Sequence, residues 1–337
     1  MIAIHDSKAG FHPIWVKYCE KENIPFKRVN CYSSNLIAEL QGCDGLLWHH
    51  DQNNVRDRIL ARPVLAALGH SGFPVFPDQN SAWHFDDKIA QKYIFESFGI
   101  ATPATFVSAN YSDSMQWVEA AVFPKVFKLR GGAGAENVIL VRHAEQARRL
   151  IRKAFGPGFS RYSRFSSLKE RWRNYRVGKA DWTQPLKGLV RLLIPPRHAR
   201  RLPRERDYVL FQDFVPGNDF DTRVIVVGDR AVARRRFVRE NDFRASGSGI
   251  NDYDHEKIEL DFVLHGFACA KLLGTQSLAL DYVQNADGVP LLLEISYGFV
   301  TSDYPGYWDR ELKWHPGAVC PQEWIVDMFA KKSVRPA

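Results

Sequence analysis

The chain has 337 residues, of which 45% are hydrophobic and 25% charged, with a net charge of +8. This composition is typical of a globular protein large enough for two domains or for three small ones. No apolar run approaches the roughly 18 residues of a membrane span, and no basic segment followed by an apolar stretch opens the chain, which argues against membrane insertion and against secretion.

The first eighty residues alternate strand-like and helix-like segments. This alternation predicts a mostly parallel sheet, and therefore a Rossmann-like N-terminal domain at 1–80. No Gly-x-Gly-x-x-Gly motif follows the first strand, so no dinucleotide site is predicted there. The predicted strands lie at 2–5, 26–30, 45–48 and 74–76, and the predicted helices at 15–23, 35–40 and 55–68.

The pattern changes after this domain. A helix is predicted at 83–98, where Gly99 would end it. The C-terminal residues 297–337 are predicted to be an aromatic loop followed by a helix at 321–332. Between the helix at 83–98 and this C-terminal segment, the predicted strands lie at 105–107, 124–129, 138–141, 208–213, 221–227 and 230–238. The predicted helices there lie at 112–121, 145–155 and 261–273.

Positive charge is concentrated in residues 151–206, which hold sixteen Lys and Arg against three acidic residues. Residues 157–206 of this stretch form a basic, aromatic-rich insertion. Such a segment is consistent with a clamp for a polyanion or an acidic peptide, with a membrane-surface contact, or with a solvated lid. No recognised nucleic-acid-binding module is present.

The five cysteines are odd in number and widely spaced, and no two of them form a Cys-x-x-Cys motif. This pattern argues for reduced thiols and against a zinc site or a disulfide framework. We therefore expect a cytoplasmic protein.

Two carboxylates stand out near the C-terminus. Residues 277–296 are two apolar runs joined by Asp287 and Gly288, which predicts a hairpin with a two-residue type I′ turn. That turn would place Asp281 directly opposite Glu294, with their β-carbons about 4.5–5.5 Å apart. Facing carboxylates within apolar strands are unfavourable unless a cation lies between them, and oxygen ligands indicate Mg²⁺. A solvated edge hairpin is the alternative.

The strand predicted at 124–129 has a lysine near its end, and a glycine-rich turn follows it directly. Lys128 precedes Gly131, Gly132 and Gly134. Backbone N–H groups of such a loop can approach phosphate oxygens closely, and the lysine adds a positive charge. The loop lacks the Gly-Lys-Ser/Thr ending of a Walker A motif, and a plain hairpin loop is the alternative.

The order of these motifs resembles the ATP-grasp superfamily, and within it the ribosomal-protein S6 glutamate ligase and glutathione synthetase type. The resemblance covers residues 77–297, apart from the basic insertion. It implies an α/β protein whose Rossmann-like parallel-sheet domain is followed by an ATP-grasp fold of two α+β subdomains, with ATP between them. These subdomains would be 81–215, which includes the insertion, and 216–337.

The resemblance also implies roles for individual residues. Ser296 stands where the family has an asparagine as its third metal ligand, so one Mg²⁺ position is expected to be weaker. The implied ATP-binding residues are Lys88, Lys128, Gly131, Gly132, Gly134, Gln212, Phe214, Val215 and Asp219; the implied catalytic residues are Arg223, Arg236 and Arg244; and the implied metal ligands are Asp281, Glu294 and Ser296.

The implied function is that of an ATP- and Mg²⁺-dependent carboxylate–amine or carboxylate–thiol ligase. It would form an acyl-phosphate on an acidic small molecule or peptide and would release ADP and phosphate. The alternatives are a small-molecule kinase of the same fold and a nucleotide-binding protein that has lost catalysis.

Overall fold

The computed structural model describes residues 1–132, 137–160, 172, 181, 183, 203–239, 242–300 and 303–333. The chain divides into two compact units. Unit 1 comprises Met1–Phe85, Tyr93–Thr102 and Val215–Ala337, and unit 2 comprises Asp86–Lys92 and Pro103–Phe214. None of the described helices is both long enough and apolar enough to span a membrane.

Unit 1 begins with a four-stranded parallel sheet in the order β2-β1-β3-β4, which confirms the predicted Rossmann-like arrangement. Strand β1 is buried along its whole length, as expected for a parallel sheet covered by helices. The elements are β1 (Ile2–His5), α1 (His12–Lys21), β2 (Phe26–Val29), α2 (Leu36–Glu39), β3 (Gly45–Leu47), α3 (Val55–His70) and β4 (Val75–Phe76).

The helix predicted at 83–98 is wrong over its first five residues. A short helix α4 (Gln79–Ala82) ends before Trp83, and α5 (Lys88–Ser97) begins only at Lys88. Asp86 lies between them with a φ of 56°, a left-handed conformation that cannot continue an α-helix.

Unit 2 is built on a four-stranded antiparallel sheet in the order β5-β8-β6-β7. Its core includes Phe127, Phe211 and Val209, which pack against Ile151 of the helix Ala144–Ala154. Its elements are β5 (Thr105–Ser108), α6 (Tyr111–Ala120), β6 (Lys125–Phe127), β7 (Ile139–Val141), α7 (Ala144–Ala154) and β8 (Val209–Asp213).

The remaining sheet of unit 1 is antiparallel, in the order β13-β12-β9-β10-β14-β15, with β11 beside β10. The loop predicted for the C-terminal aromatic segment is wrong, because a hairpin of two strands occupies most of it before the last helix. The elements are β9 (Phe220–Val227), β10 (Arg230–Phe237), β11 (Asn251–Asp252), a 3-10 turn (His255–Lys257), α8 (Leu260–Leu273), β12 (Ser277–Gln284), β13 (Pro290–Ser296), β14 (Tyr304–Trp308), β15 (Trp314–Val319) and α9 (Pro321–Ser333).

The two faces of this antiparallel sheet bury different side chains. Ile225 and Val227 of β9 face a core shared with the N-terminal parallel sheet, α1 and α9. Val224 and Val226 face the opposite way, into the core beneath α8. This alternation is the period-2 pattern of a strand that is covered on both sides.

Candidate functional site

Asp281 and Glu294 are cross-strand partners on β12 and β13, as the hairpin argument predicts. The turn that joins the strands differs from the prediction, because Gly288 alone of the two turn residues has a positive φ, 79°. Five residues, 285–289, connect the strands. The loop is organised by Asn285, whose side-chain oxygen accepts the backbone N–H groups of Asp287 and Val289.

A β-bulge restores the register on the way to the site. Near the loop, Tyr282 pairs with Leu292, one position away from the predicted register. Leu293 is the extra residue, and beyond it Asp281 pairs with Glu294. The longer loop and the bulge therefore cancel, and the two acids face each other although the predicted turn type is wrong.

The same face of the sheet carries further charges. Asp281 is also the cross-strand partner of Arg223 on β9, and Arg236 on β10 is the partner of Asp221. These side chains share the face on which Ile225 lies farther along the sheet. One end of this face is therefore apolar and the other end is charged.

Four of these side chains form a chain of ion pairs, which we call the Arg–Asp network: Asp221, Arg236, Asp281 and Arg223. Arg223 donates to both carboxylate oxygens of Asp281 at 2.6 and 2.7 Å. Arg236 donates to both oxygens of Asp221 at 2.6 Å each and contacts Asp281 at 2.8 Å. Bidentate pairing of this kind fixes the planes of both guanidinium groups.

Burial and charge act in opposite directions on the network. Burial alone would raise the pKa of the Asp281 carboxyl, but the guanidinium groups of Arg223 and Arg236 outweigh it and hold that pKa well below its ordinary value. Burial alone would lower the pKa of Arg236, and the carboxylates of Asp281 and Asp221 raise it instead. Asp221 differs from Asp281, because burial raises the pKa of its carboxyl even beside the Arg236 guanidinium. Asp281 and Arg236 are therefore charged near neutral pH.

The predicted metal ligands have protein partners in this arrangement. Both oxygens of Asp281 accept from arginines, and the Ser296 hydroxyl donates to the carbonyl of Gly298 at 2.7 Å while accepting its N–H at 3.1 Å. Among the described residues, no group of three or more His, Cys, Asp or Glu side chains could hold a metal ion. As arranged, these residues do not present the open set of oxygen ligands that Mg²⁺ needs, and the metal assignment stays a prediction.

In unit 2, the segment before α5 contacts the start of the glycine-rich loop. The Asp86 carboxylate accepts the N–H of Gly132 at 2.6 Å, and Asp87 accepts from the Arg130 guanidinium at 2.6 and 2.9 Å. Lys88 donates through its backbone N–H to the Arg130 carbonyl and through Nζ to the Gly132 carbonyl at 2.9 Å. These hydrogen bonds hold the backbone at the start of the glycine-rich loop in place.

The second lysine contacts the strand that leads to the predicted hinge. Lys128 Nζ donates to the Gln212 side-chain oxygen at 2.6 Å, and Gln212 donates to the Thr105 hydroxyl at 3.1 Å. Unit 2 therefore brings together Lys88, Lys128, Gly131, Gly132 and Gln212 within a few strands and one loop. Gly134 lies outside the described residues.

The remaining predicted residues take separate positions. Phe214 ends unit 2, and Val215 and Asp219 lie in unit 1, on the segment that leads into β9. Asn218 holds this segment against β12, because its side chain exchanges hydrogen bonds of 2.9 and 3.0 Å with the backbone of Gln284.

Arg244 has a carboxylate partner of its own. Its guanidinium group donates to both oxygens of Asp242, at 2.8 and 2.7 Å. The basic insertion at 157–206 lies largely outside the described residues, so the partners predicted for it stay predictions.

Sequence reasoning assigned no role to several residues that position the site. Asp86 and Asp87 directly precede Lys88, and Asp221 precedes Arg223 by two positions. Their closeness in sequence to predicted site residues is the signal that could have indicated a role for them. Arg234 is buried on β10 and donates to the Tyr253 hydroxyl at 3.0 Å. The strand period places it on the same face as Arg236, which is a signal that the sequence does contain.

Solved structures resemble the chain over most of its length. It is similar to a RimK domain protein ATP-grasp from Sphaerobacter thermophilus, at 15% identity and a TM-score of 0.51, over 88% of this chain and 90% of that one. It is also similar to D-alanine–D-alanine ligase from Bacillus anthracis, at 14% identity and a TM-score of 0.51, over 99% and 97%. The chain has the ATP-grasp fold.

A third structure extends the comparison. The biotin carboxylase domain of the Hydrogenobacter thermophilus 2-oxoglutarate carboxylase matches the ATP-grasp fold of this chain with a TM-score of 0.60 at 12% identity, over 100% of this chain and 71% of that one. No family model matches the sequence, and no curated protein matches it. The predicted fold is thus confirmed by structural similarity and not by any match of sequence.

Proposed function

We propose that this ATP-grasp chain is an ATP-dependent ligase that activates a carboxylate as an acyl-phosphate and joins it to an amine or a thiol. The Arg–Asp network supports this proposal most strongly. Transfer of a phosphoryl group requires positive charge that is already oriented toward the reacting oxygens, so that little reorganisation is needed at the transition state. Asp221 and Asp281 hold the guanidinium groups of Arg223 and Arg236 in fixed orientations, and this preorganisation supports the proposal.

The lysines of unit 2 supply the second part of the argument. Lys88 and Lys128 lie at the start of the glycine-rich loop and beside Gln212. We propose that their ammonium groups and the N–H groups of this loop contact the phosphate oxygens of ATP, and that Gln212, Phe214, Val215 and Asp219 contact the nucleoside. The biotin carboxylase domain from Hydrogenobacter thermophilus was solved with MgADP and bicarbonate, which favours a nucleotide as the ligand here as well.

The proposed reaction has two steps. A substrate carboxylate oxygen attacks the γ-phosphorus of ATP, ADP leaves, and an acyl-phosphate forms. An amine or thiol then attacks the acyl carbon, phosphate leaves, and the nucleophile loses its proton. Arg223, Arg236 and Arg244 would stabilise negative charge on the phosphoryl group in both steps. Mg²⁺ stays a prediction for this chain, and phosphate oxygens and water would have to supply most of its ligands.

The products distinguish this ligase from its alternatives. Incubation with Mg·ATP and pooled carboxylic acids, amino acids, thiols and sugars should yield ADP and free phosphate in equal amounts only when an acid and its acceptor are both present. ADP together with a phosphorylated small molecule would indicate the kinase instead. Thermal stabilisation by ATP without any turnover would favour a nucleotide-binding protein.

A pair of lysine substitutions tests the nucleotide site itself. Lys128→Met should weaken ATP binding about tenfold or more, because one charge-assisted contact to a phosphate is worth roughly 1.5–3 kcal/mol. Lys17→Met, on the exposed side of α1, is the matched control and should leave binding unchanged. Equal affinities of the two variants, measured by calorimetry, would count against the proposed site.

A further inference from the structure

The outward face of α8 carries three exposed leucines, although the helix lies on the surface of unit 1. Its inward face is buried against the antiparallel sheet through Phe262, Val263, Gly266, Cys269 and Ala270. On the opposite side, Leu260, Leu264 and Leu272 remain 46%, 52% and 50% exposed. A single exposed leucine is ordinary on a protein surface, but three on one face of one helix form a stripe.

The exposed residues of α8 occupy one continuous arc. They are Leu260, Asp261, Leu264, Ala268, Lys271 and Leu272. At about 100° per residue they span roughly 120° of the helix surface, and the centre of this arc lies opposite the centre of the buried side. We call this surface the α8 stripe.

The α8 stripe has an internal symmetry that favours one particular partner. Its residues are arranged in pairs about position 266: Leu260 with Leu272, Asp261 with Lys271, and Leu264 with Ala268. On the helical wheel the members of each pair lie on opposite sides of the centre of the arc, at equal angles from it. Such a surface is complementary to its own copy rotated by 180°.

We propose that the α8 stripe is a homodimer interface, in which α8 of one copy packs antiparallel to α8 of a second copy. A two-fold axis through the centre of the stripe places Asp261 of one copy against Lys271 of the other, and the same pair recurs on the far side of the axis. It also places Leu260 against Leu272 and Leu264 against Ala268. Small and large side chains alternate at the centre, which lets the two helices approach.

The charges distinguish a second copy from other occupants. In a parallel helix pair Asp261 would face Asp261 and Lys271 would face Lys271, which is unfavourable. A lipid surface would place both charged side chains on the inserted face of the helix. The antiparallel copy is the arrangement that pairs every charge of the stripe with an opposite charge.

The interface is small, which sets the expected strength. One face of a 14-residue helix is far below the roughly 800 Å² per partner of a standard interface. We therefore expect a weak dimer whose population rises with concentration. Dimerisation does not depend on the proposed ligase activity, because α8 holds none of the proposed site residues.

Charge reversal tests the pairing directly. Sedimentation velocity of the full chain over a concentration series should show a monomer–dimer equilibrium. Lys271→Glu, and separately Asp261→Lys, should raise the dissociation constant about tenfold or more, because each change converts two opposite-charge contacts into two like-charge contacts. The double variant Asp261→Lys/Lys271→Glu should restore association, because both contacts are again between opposite charges.

Two controls make the outcome decisive. Lys17→Glu reverses a charge that is also exposed, on α1, and should leave the dissociation constant unchanged. All substituted side chains are exposed, so thermal unfolding of each variant should match that of the parent chain within a few degrees. A parent chain that stays monomeric at every concentration, or a double variant that associates as weakly as the single ones, would overturn the proposal.

Discussion

Arg236 offers the sharpest test of the Arg–Asp network. It is 5% exposed, donates to both oxygens of Asp221 at 2.6 Å, and contacts Asp281 at 2.8 Å. The substitution Arg236→Met keeps an apolar stem of similar length but removes the cation. The carboxylate of Asp221, 7% exposed, then loses its bidentate partner inside the sheet.

The expected loss is large. Breaking a buried ion pair by removing one partner costs about 3–5 kcal/mol, because the remaining charge is left uncompensated. The matched control is Arg235→Met, one position away on the same strand and on the other face, where the guanidinium carbon lies 4.4 Å from the centroid of the Phe220 ring. We expect that change to cost less than about 1 kcal/mol. The free energies of unfolding come from urea titrations followed by circular dichroism.

A double variant separates the charge from the packing. Replacing a buried ion pair by apolar residues of similar volume is often neutral, so Asp221→Leu combined with Arg236→Met should recover most of the stability that Arg236→Met loses. Two results would refute the reasoning: Arg236→Met costing no more than Arg235→Met, or the double variant being less stable than Arg236→Met alone.

Three further predictions concern packing, pH and turnover. Gly306→Ala should destabilise the chain by about 1–3 kcal/mol in thermal unfolding, because the new β-carbon would lie 2.4 Å from a backbone oxygen. The control is Gly69→Ala, whose new β-carbon has its nearest neighbour at 3.9 Å, and it should be neutral or stabilising. Burial lowers the pKa of His12 to about 4. When the pH falls from 7 to 5, this residue therefore takes up a proton only in the unfolded chain, and its effect should lower the free energy of unfolding by roughly 2 kcal/mol. His12→Asn should remove the His12 share of this slope in urea titrations at the two pH values, leaving the share of His5, His49 and His50, whose pKa values burial also lowers. An unchanged slope would contradict the assignment. Glu294→Gln should abolish Mg-dependent ATP turnover while leaving the circular dichroism spectrum intact, and an undiminished rate would exclude this side chain as a metal ligand.

The hairpin at the candidate site shows how far sequence reasoning reaches. The apolar runs and the Asp-Gly step place Asp281 opposite Glu294, and the structure agrees. The reason differs, because Asn285 organises a longer loop and Leu293 bulges out to compensate. A bulge is not visible in the pattern of apolar residues, since Leu292 and Leu293 are both apolar.

The errors elsewhere have a common origin. The helix predicted to begin at residue 83 is interrupted at Asp86, whose carboxylate accepts the N–H of Gly132 46 positions away. The C-terminal aromatic segment pairs as two strands, and β14 adds to β10 through Ala231 and Trp308. In both places a long-range partner decides the local conformation, and local propensity does not record that partner.

The sequence by itself determined the parallel N-terminal sheet, most strand positions and the pairing of the two acids, because apolar periodicity and turn residues act over short distances. The order of its motifs also predicted the ATP-grasp fold, which structural similarity confirms. Only the tertiary structure decided that Asp281 accepts from both Arg223 and Arg236, and that Ser296 bonds to Gly298. Whether a carboxylate holds a metal or an arginine depends on which side chains neighbouring strands place beside it. That choice is made by sheet order and register across β9, β10 and β12, and these strands come together only when the sheet assembles.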